Sequence, residues 1–170
     1  MKVIPLRVAT SVAEVGGKAA NLARLIAAGA PVPDGFVLTN GALQHFVAEQ
    51  EALPLDVDSI VVGAWQSAFS NGPVIVRSSA VGEDSEDASF AGQLDSVPNV
   101  RTAEDLRRAI LQVWSSQWSA RALSYQSSRN TYLRGMAVIV QRQVDAAVSG
   151  VLFTTSPTAS SEMLLEYCGG

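Results

Sequence analysis

The sequence predicts a mixed α/β chain of the α+β kind. Three observations carry this. Stretches with apolar residues at helical spacing are interleaved with short apolar runs of strand length. Gly, Pro, Asp-Gly and Asn-Gly punctuate the boundaries between them. The 170 residues, 48% of them hydrophobic, suffice for one domain or two small lobes and exclude disorder.

The elements follow in order. Val3 to Leu6 reads as a short strand. Gly16-Gly17 opens a helix near 18–28, with Ala19, Leu22, Leu25 and Ile26 on one face, and Gly29 stops it in the C′ position. Pro31 and Pro33 force extended backbone, Asp34-Gly35 turns, and Phe36 to Leu38 is a strand. Helices are expected near 40–52, capped by Thr39 or Asn40, and near 58–70, closed by Asn71-Gly72-Pro73. The texture changes at residue 73. Val74-Ile75-Val76 reads as a buried strand over 74–77, followed by a polar loop from Ser78 to Gly92. Thr102 with Asp105 resembles a capping box for a helix over 103–128. Strands are expected near 136–142, 148–154 and 162–167, with Asp145-Ala146-Ala147 as a hairpin connection.

Composition narrows the function classes. Twelve basic against sixteen acidic residues give a net charge of −4 and a pI near 4.9, which argues against a nucleic-acid partner. Charged residues make up 16%, against roughly 25% in a typical domain. With a mean hydropathy of +0.20, part of the surface is expected to pack against something else, an oligomer partner included. The single Cys168 forms no internal disulfide, which points to a reducing compartment and an inert thiol. Met1 to Leu6 has no signal-peptide core, and no apolar run reaches the roughly 20 residues of a membrane span. A soluble cytoplasmic protein is expected.

Few residues offer chemistry. Lysine occurs only at positions 2 and 18. Lys18 follows two glycines at a predicted helix start, where backbone N–H groups favour anions. It reads either as a phosphate contact or as a solvated first-turn lysine, and the Walker A spacing is absent. Arg77 directly follows a buried strand and must find a partner. Its planar fork suits phosphate, and it equally suits an ion pair with Glu83, Asp84, Glu86 or Asp87. Gln141 ends a strand, where an amide fits an adenine edge or simply faces water. His45 lies among Leu43, Phe46 and Val47 and reads as structural. The tryptophans read as core or interface anchors, and no group has metal-ligand spacing.

Three blocks, in order, carry a resemblance. The first is Gly16-Gly17-Lys18-Ala19-Ala20-Asn21-Leu22 with Val32-Pro33-Asp34-Gly35-Phe36. The second is Val76-Arg77-Ser78-Ser79-Ala80 with Glu83-Asp84-Ser85 and Ala88-Ser89-Phe90-Ala91-Gly92-Gln93. The third is Val138-Ile139-Val140-Gln141 with Ser149-Gly150-Val151-Leu152-Phe153-Thr154. Together they resemble the N-terminal ATP-binding domain of the pyruvate phosphate dikinase, phosphoenolpyruvate synthase and rifampin phosphotransferase family.

The resemblance implies an ATP-grasp-like fold. Residues 1–72 would form the N-terminal part of one lobe, and 73–170 the strand-loop-helix and hairpin part of the same ATP-binding domain. It also implies ATP as cofactor and an ATP-dependent phosphotransferase of dikinase type. In such enzymes ATP phosphorylates a histidine on a swivelling domain, which serves a second substrate such as pyruvate or a drug. By position, Lys18 and Arg77 would contact the phosphates. Gly92 and Ser96, the latter often Thr in relatives, would lie by the phosphate-covering loop, and Gln141 would meet the adenine. The family's Mg²⁺ ligands, its phosphohistidine domain and its substrate domain would follow Gly170. The 170-residue chain is therefore expected to hold nucleotide without turning it over. The alternative reading is a non-catalytic nucleotide-binding or interaction module that retains the fold.

Overall fold

The computed structural model describes residues 3–42, 52–70, 72–81, 84–85, 88–89, 94–129, 133, 135–154 and 162–169. Five strands form one sheet: β1 (Val3–Pro5), β2 (Gly35–Leu38), β3 (Val74–Ala80), β6 (Ser96–Val100) and β7 (Met136–Arg142), in the order β1-β2-β7-β3-β6. Every neighbouring pair is antiparallel, which places the fold on the α+β side of the expectation. Two-residue strands β4 (Asp84–Ser85) and β5 (Ala88–Ser89) pair with each other, as do β8 (Val148–Phe153) and β9 (Leu164–Gly169).

The sheet separates two cores. Period-two alternation sends Phe36, Leu38, Val74, Val76, Val138 and Val140 to one face. There α2 (Leu55–Phe69) brings Val57, Val61, Trp65 and Phe69, and α3 (Ala103–Ser115) brings Leu106, Ile110 and Val113. Val37, Ala137 and Ile139 point to the other face, under Val15, Ala19 and Ala20 of α1 (Val12–Ala27). β7 is therefore apolar on both faces and buried from Met136 to Gln141. Both edge strands carry a proline, Pro5 and Pro98, which blunts them against pairing with other chains.

Local chemistry fixes the helix ends. α1 ends in a Schellman turn: Gly29, at φ +82°, donates to Ile26 O and Ala30 to Leu25 O. Thr102 accepts from the Asp105 amide at 3.0 Å, the expected N-cap of α3. Its hydroxyl first, and Arg108 second, hold the Asp105 carboxyl below its ordinary value. A forked ion pair from Arg107 to Asp58, at 2.5 and 3.0 Å, ties α3 to α2.

Several expectations need correction. The helix predicted over 103–128 is broken. After α3 the chain tightens into a 3₁₀ turn at Ser116–Trp118, and α4 (Ala120–Arg129) restarts behind Ser119. The cause is serine: Ser116 Oγ donates to Val113 O, and Ser119 Oγ accepts from the Ala122 amide. Asp145-Ala146-Ala147 is not a hairpin connection. β7 is already flanked by β2 and β3, so β8 pairs with β9 instead. The loop expected to begin at Ser78 begins later, because β3 runs to Ala80 with Ser78 and Ser79 buried. β6 was not anticipated, and Pro98 and Asn99 stand inside it. They form a bulge, with Asn99 at φ +59°. Of the helix expected over 40–52, residues 40–42 form a 3₁₀ turn, and the remainder up to 51, His45 included, lies outside the described residues.

Two further features have measurable consequences. The β8–β9 hairpin exposes apolar side chains, among them Val148, Val151, Leu165 and Tyr167. No described helix is long and apolar enough to cross a membrane. Trp65, only 2% exposed, buries an Nε1–H that has no hydrogen-bond partner. An unmade bond of this kind costs roughly 1–3 kcal/mol. Trp65→Phe is therefore expected to change stability by less than about 1.5 kcal/mol in urea denaturation. A loss of about 3 kcal/mol would show that the packing lost with the larger ring outweighs the relief of the unpaired N–H.

Candidate functional site

Arg77 stands opposite Ile139 in the β3–β7 register, and directly opposed residues of an antiparallel pair share a face. The guanidinium therefore emerges on the α1 side of the sheet, where Val37, Ala137 and Ile139 supply an apolar floor. Its Nη1 donates to Gln141 Oε1 at 3.2 Å. Gln141 Nε2 donates to the main-chain oxygen of Pro33 at 3.0 Å. At 3% exposure, Gln141 is a buried bridge between Arg77 and the segment leading into β2. Both ends of its amide are engaged, as burial requires.

Arg77 and Gln141 face a cleft of about 470 Å³. Leu22, Pro31, Val32, Pro33, Ile75 and Pro98 supply its apolar lining. Apolar walls around a few convergent polar groups are the usual make of a small-molecule site.

Lys18 descends from α1 to the same strand. Its Nζ donates to the main-chain oxygen of Ser78 at 3.0 Å and approaches Ser78 Oγ at 3.4 Å. Lys18 thus meets the residue adjacent to Arg77. It does not line the cleft, whereas Leu22, one turn further along α1, does. Ser96 stands directly across from Arg77 in the β3–β6 register and is exposed. The structure therefore gathers Lys18, Arg77, Ser96 and Gln141 around β3. Gly92 lies outside the described residues, as do the side chains of Glu83, Asp84, Glu86 and Asp87.

Sequence reasoning missed Ser79. Two serines after a buried strand read as loop hydroxyls. Instead Ser79 points into the α1 side, where its Oγ donates to Val15 O at 2.6 Å and accepts from the Ala19 amide at 3.0 Å. The glycine pair beside Lys18 was the available signal. Gly16 takes φ +75° and ψ 169°, a region essentially reserved for glycine, and kinks α1 there.

Chemically, the arrangement suits an anion. It offers a planar cation fixed by a buried amide, and an ammonium anchored on Ser78 one residue along. Among the described residues no group of three His, Cys, Asp or Glu side chains is gathered.

Residues 12–67 and 51–168 match the family profile described as pyruvate phosphate dikinase, AMP/ATP-binding domain. The chain is 35% identical over 192 residues to a phosphoenolpyruvate synthase of Aeropyrum pernix, covering 87% of this chain and 23% of that protein. It is 34% identical over 186 residues to a rifampicin phosphotransferase of Streptomyces sp, covering 88% and 22%. It is 32% identical over 178 residues to the prodigiosin synthesizing transferase PigC of Serratia marcescens, covering 92% and 20%. The chain thus spans less than a quarter of the length of these three relatives.

Proposed function

This chain belongs to the family of pyruvate phosphate dikinase AMP/ATP-binding domains, and from that premise we propose that it binds ATP through Arg77 and Lys18. In this reading it is the ATP-binding portion, of ATP-grasp type, of an ATP-dependent phosphotransferase. The phosphoryl group passes to a histidine on a separate domain and from there to a second substrate. The reading carries a cytoplasmic location with it. The observation that supports it best is the Arg77 guanidinium, held by buried Gln141 at an apolar cleft, with the Lys18 ammonium at the next residue of the same strand.

Phosphoryl transfer asks a protein mainly for positioning and for neutralisation of charge. Arg77 supplies a fixed fork for two phosphate oxygens, and Lys18 a compact point charge anchored on Ser78. Apolar residues around the cleft suit a nucleobase. Gln141 acts from beneath, through Arg77 and Pro33, and only the second N–H and the second lone pair of its amide are left for an adenine edge. Among the described residues no three His, Cys, Asp or Glu side chains gather to hold Mg²⁺.

The acceptor is selected elsewhere. Relatives named for phosphoenolpyruvate, rifampicin and prodigiosin share this region at 35%, 34% and 32% identity. A segment common to proteins named for such different compounds serves, in this reading, the nucleotide.

Calorimetric titration with ATP, AMP and adenosine tests the reading. Lys18→Gln is expected to weaken ATP binding about tenfold and adenosine binding hardly at all, the loss of one charge-assisted contact. The absence of saturable ATP binding, or equal losses for ATP and adenosine, would overturn it.

A further inference from the structure

In an unbroken α-helix the Ala19 amide donates to Val15 O, four residues earlier. Here both groups of that pair turn to a side chain of β3. The Ser79 hydroxyl sits between the two groups, donating to Val15 O at 2.6 Å and accepting from Ala19 N at 3.0 Å. The carbonyl keeps a donor and the amide an acceptor, but α1 is split. The split falls at Gly16, whose missing Cβ leaves room for the main chain of Ser79 and Ala80. α1 is thus fastened to β3 at the turn that launches Lys18, and the Lys18 ammonium lands on Ser78 O, the residue next to Ser79. One hydroxyl sets both the base of the lysine and the carbonyl that receives its tip.

We propose that Ser79 is a positioning residue for Lys18. The inference deepens the ATP reading and rests on it for its functional consequence. Ser79 is wholly buried, so it acts through Lys18 and touches no ligand itself. A water-exposed serine would leave the lysine free to sample its rotamers. This one fixes the kinked turn from Val15 to Ala19, out of which Lys18 projects.

The test compares Ser79→Ala, which removes the hydroxyl, with Ser79→Thr, which retains it, in the chain with Lys18 and in Lys18→Gln. Because Lys2 and Lys18 are the only lysines, reductive ¹³C-methylation gives a Lys18 NMR signal that is easily assigned. The expected result has three parts. Ser79→Ala moves the Lys18 signal and weakens ATP binding about tenfold, the scale of one misplaced charged contact. Ser79→Thr restores both. In Lys18→Gln, Ser79→Ala costs no further affinity although it still lowers the melting temperature. A variant that loses only thermal stability, with the Lys18 signal and ATP affinity unchanged, would overturn the proposal. Should Ser79→Ala not fold, Ser79→Cys carries the same comparison with a much weaker hydrogen-bonding group. If the unaltered chain binds no ATP, the nucleotide reading fails. The Lys18 signal alone then decides the inference, a shift upholding it and no shift ending it.

Discussion

Gly16→Ala is expected to cost about 4 kcal/mol or more, enough to leave the chain largely unfolded at 37 °C. Two independent penalties combine. A Cβ at Gly16 would stand 2.2 Å from Ser79 O, 2.5 Å from Ser79 C and 2.7 Å from Ala80 O. All three are main-chain atoms of β3, paired on one side with β7, so they have nowhere to retreat. The backbone at φ +75° and ψ 169° also excludes a side chain, at roughly 1–3 kcal/mol, with overpacking adding about as much again. Gly63→Ala provides the control. Gly63 lies inside α2, exposed, with nothing within 4 Å of its Cβ position. It is expected to stabilise by about 0.5–1 kcal/mol through helix propensity. Urea midpoints measure both. A Gly16→Ala loss below about 1.5 kcal/mol would mean that α1 and β3 can separate without cost, and the close approach would lose its importance.

Arg77→Gln is expected to weaken ATP binding by more than about a hundredfold, a larger effect than Lys18→Gln. The fork loses two charge-assisted bonds to phosphate, each worth roughly 1.5–3 kcal/mol. Gln141 Oε1 also loses its donor in a buried position. Arg77→Lys is expected to fall between, since it keeps the charge but loses the bidentate fork. The urea midpoint checks that the fold persists, and adenosine affinity checks that the loss lies at the phosphates. If Arg77→Gln loses adenosine as strongly as ATP, Arg77 shapes the cleft and does not bind phosphate.

The sequence announced elements whose signal is local. The Schellman turn at Gly29, the Thr102 cap and the buried run at Val74–Val76 are each written within a few residues, and each is where it was expected. What failed was information carried by partners far away. Ser79 belongs with Val15 and Ala19, some sixty positions earlier, so its own neighbours suggested a loop. β6 passed unread, and it accommodates Pro98 only because it is an edge strand, a property set by the sheet order and not by its own residues. The hairpin expected at Asp145 required a free edge on β7, and that edge was already taken by strands from residues 35 and 74. Within the candidate site, Lys18, Arg77 and Gln141 were each singled out by residue type and position. That Arg77 and Gln141 are each other's partners, 64 positions apart, was not legible.

β7 alone bridges the two strand pairs of the five-stranded sheet, and it is the last of those strands to be synthesised. As the chain leaves the ribosome, β1–β2 and β3–β6 emerge first, each with an open side. One core waits for Ala137 and Ile139, the other for Met136, Val138 and Val140. Contacts as distant in sequence as Gly35 with Gln141 must then close in a single late step. Until residue 142 has cleared the exit tunnel, α2 and α3 hold apolar faces with half a sheet to cover them. The nascent chain passes through an interval in which its own completion competes with aggregation, and the length of that interval is set by the rate of translation.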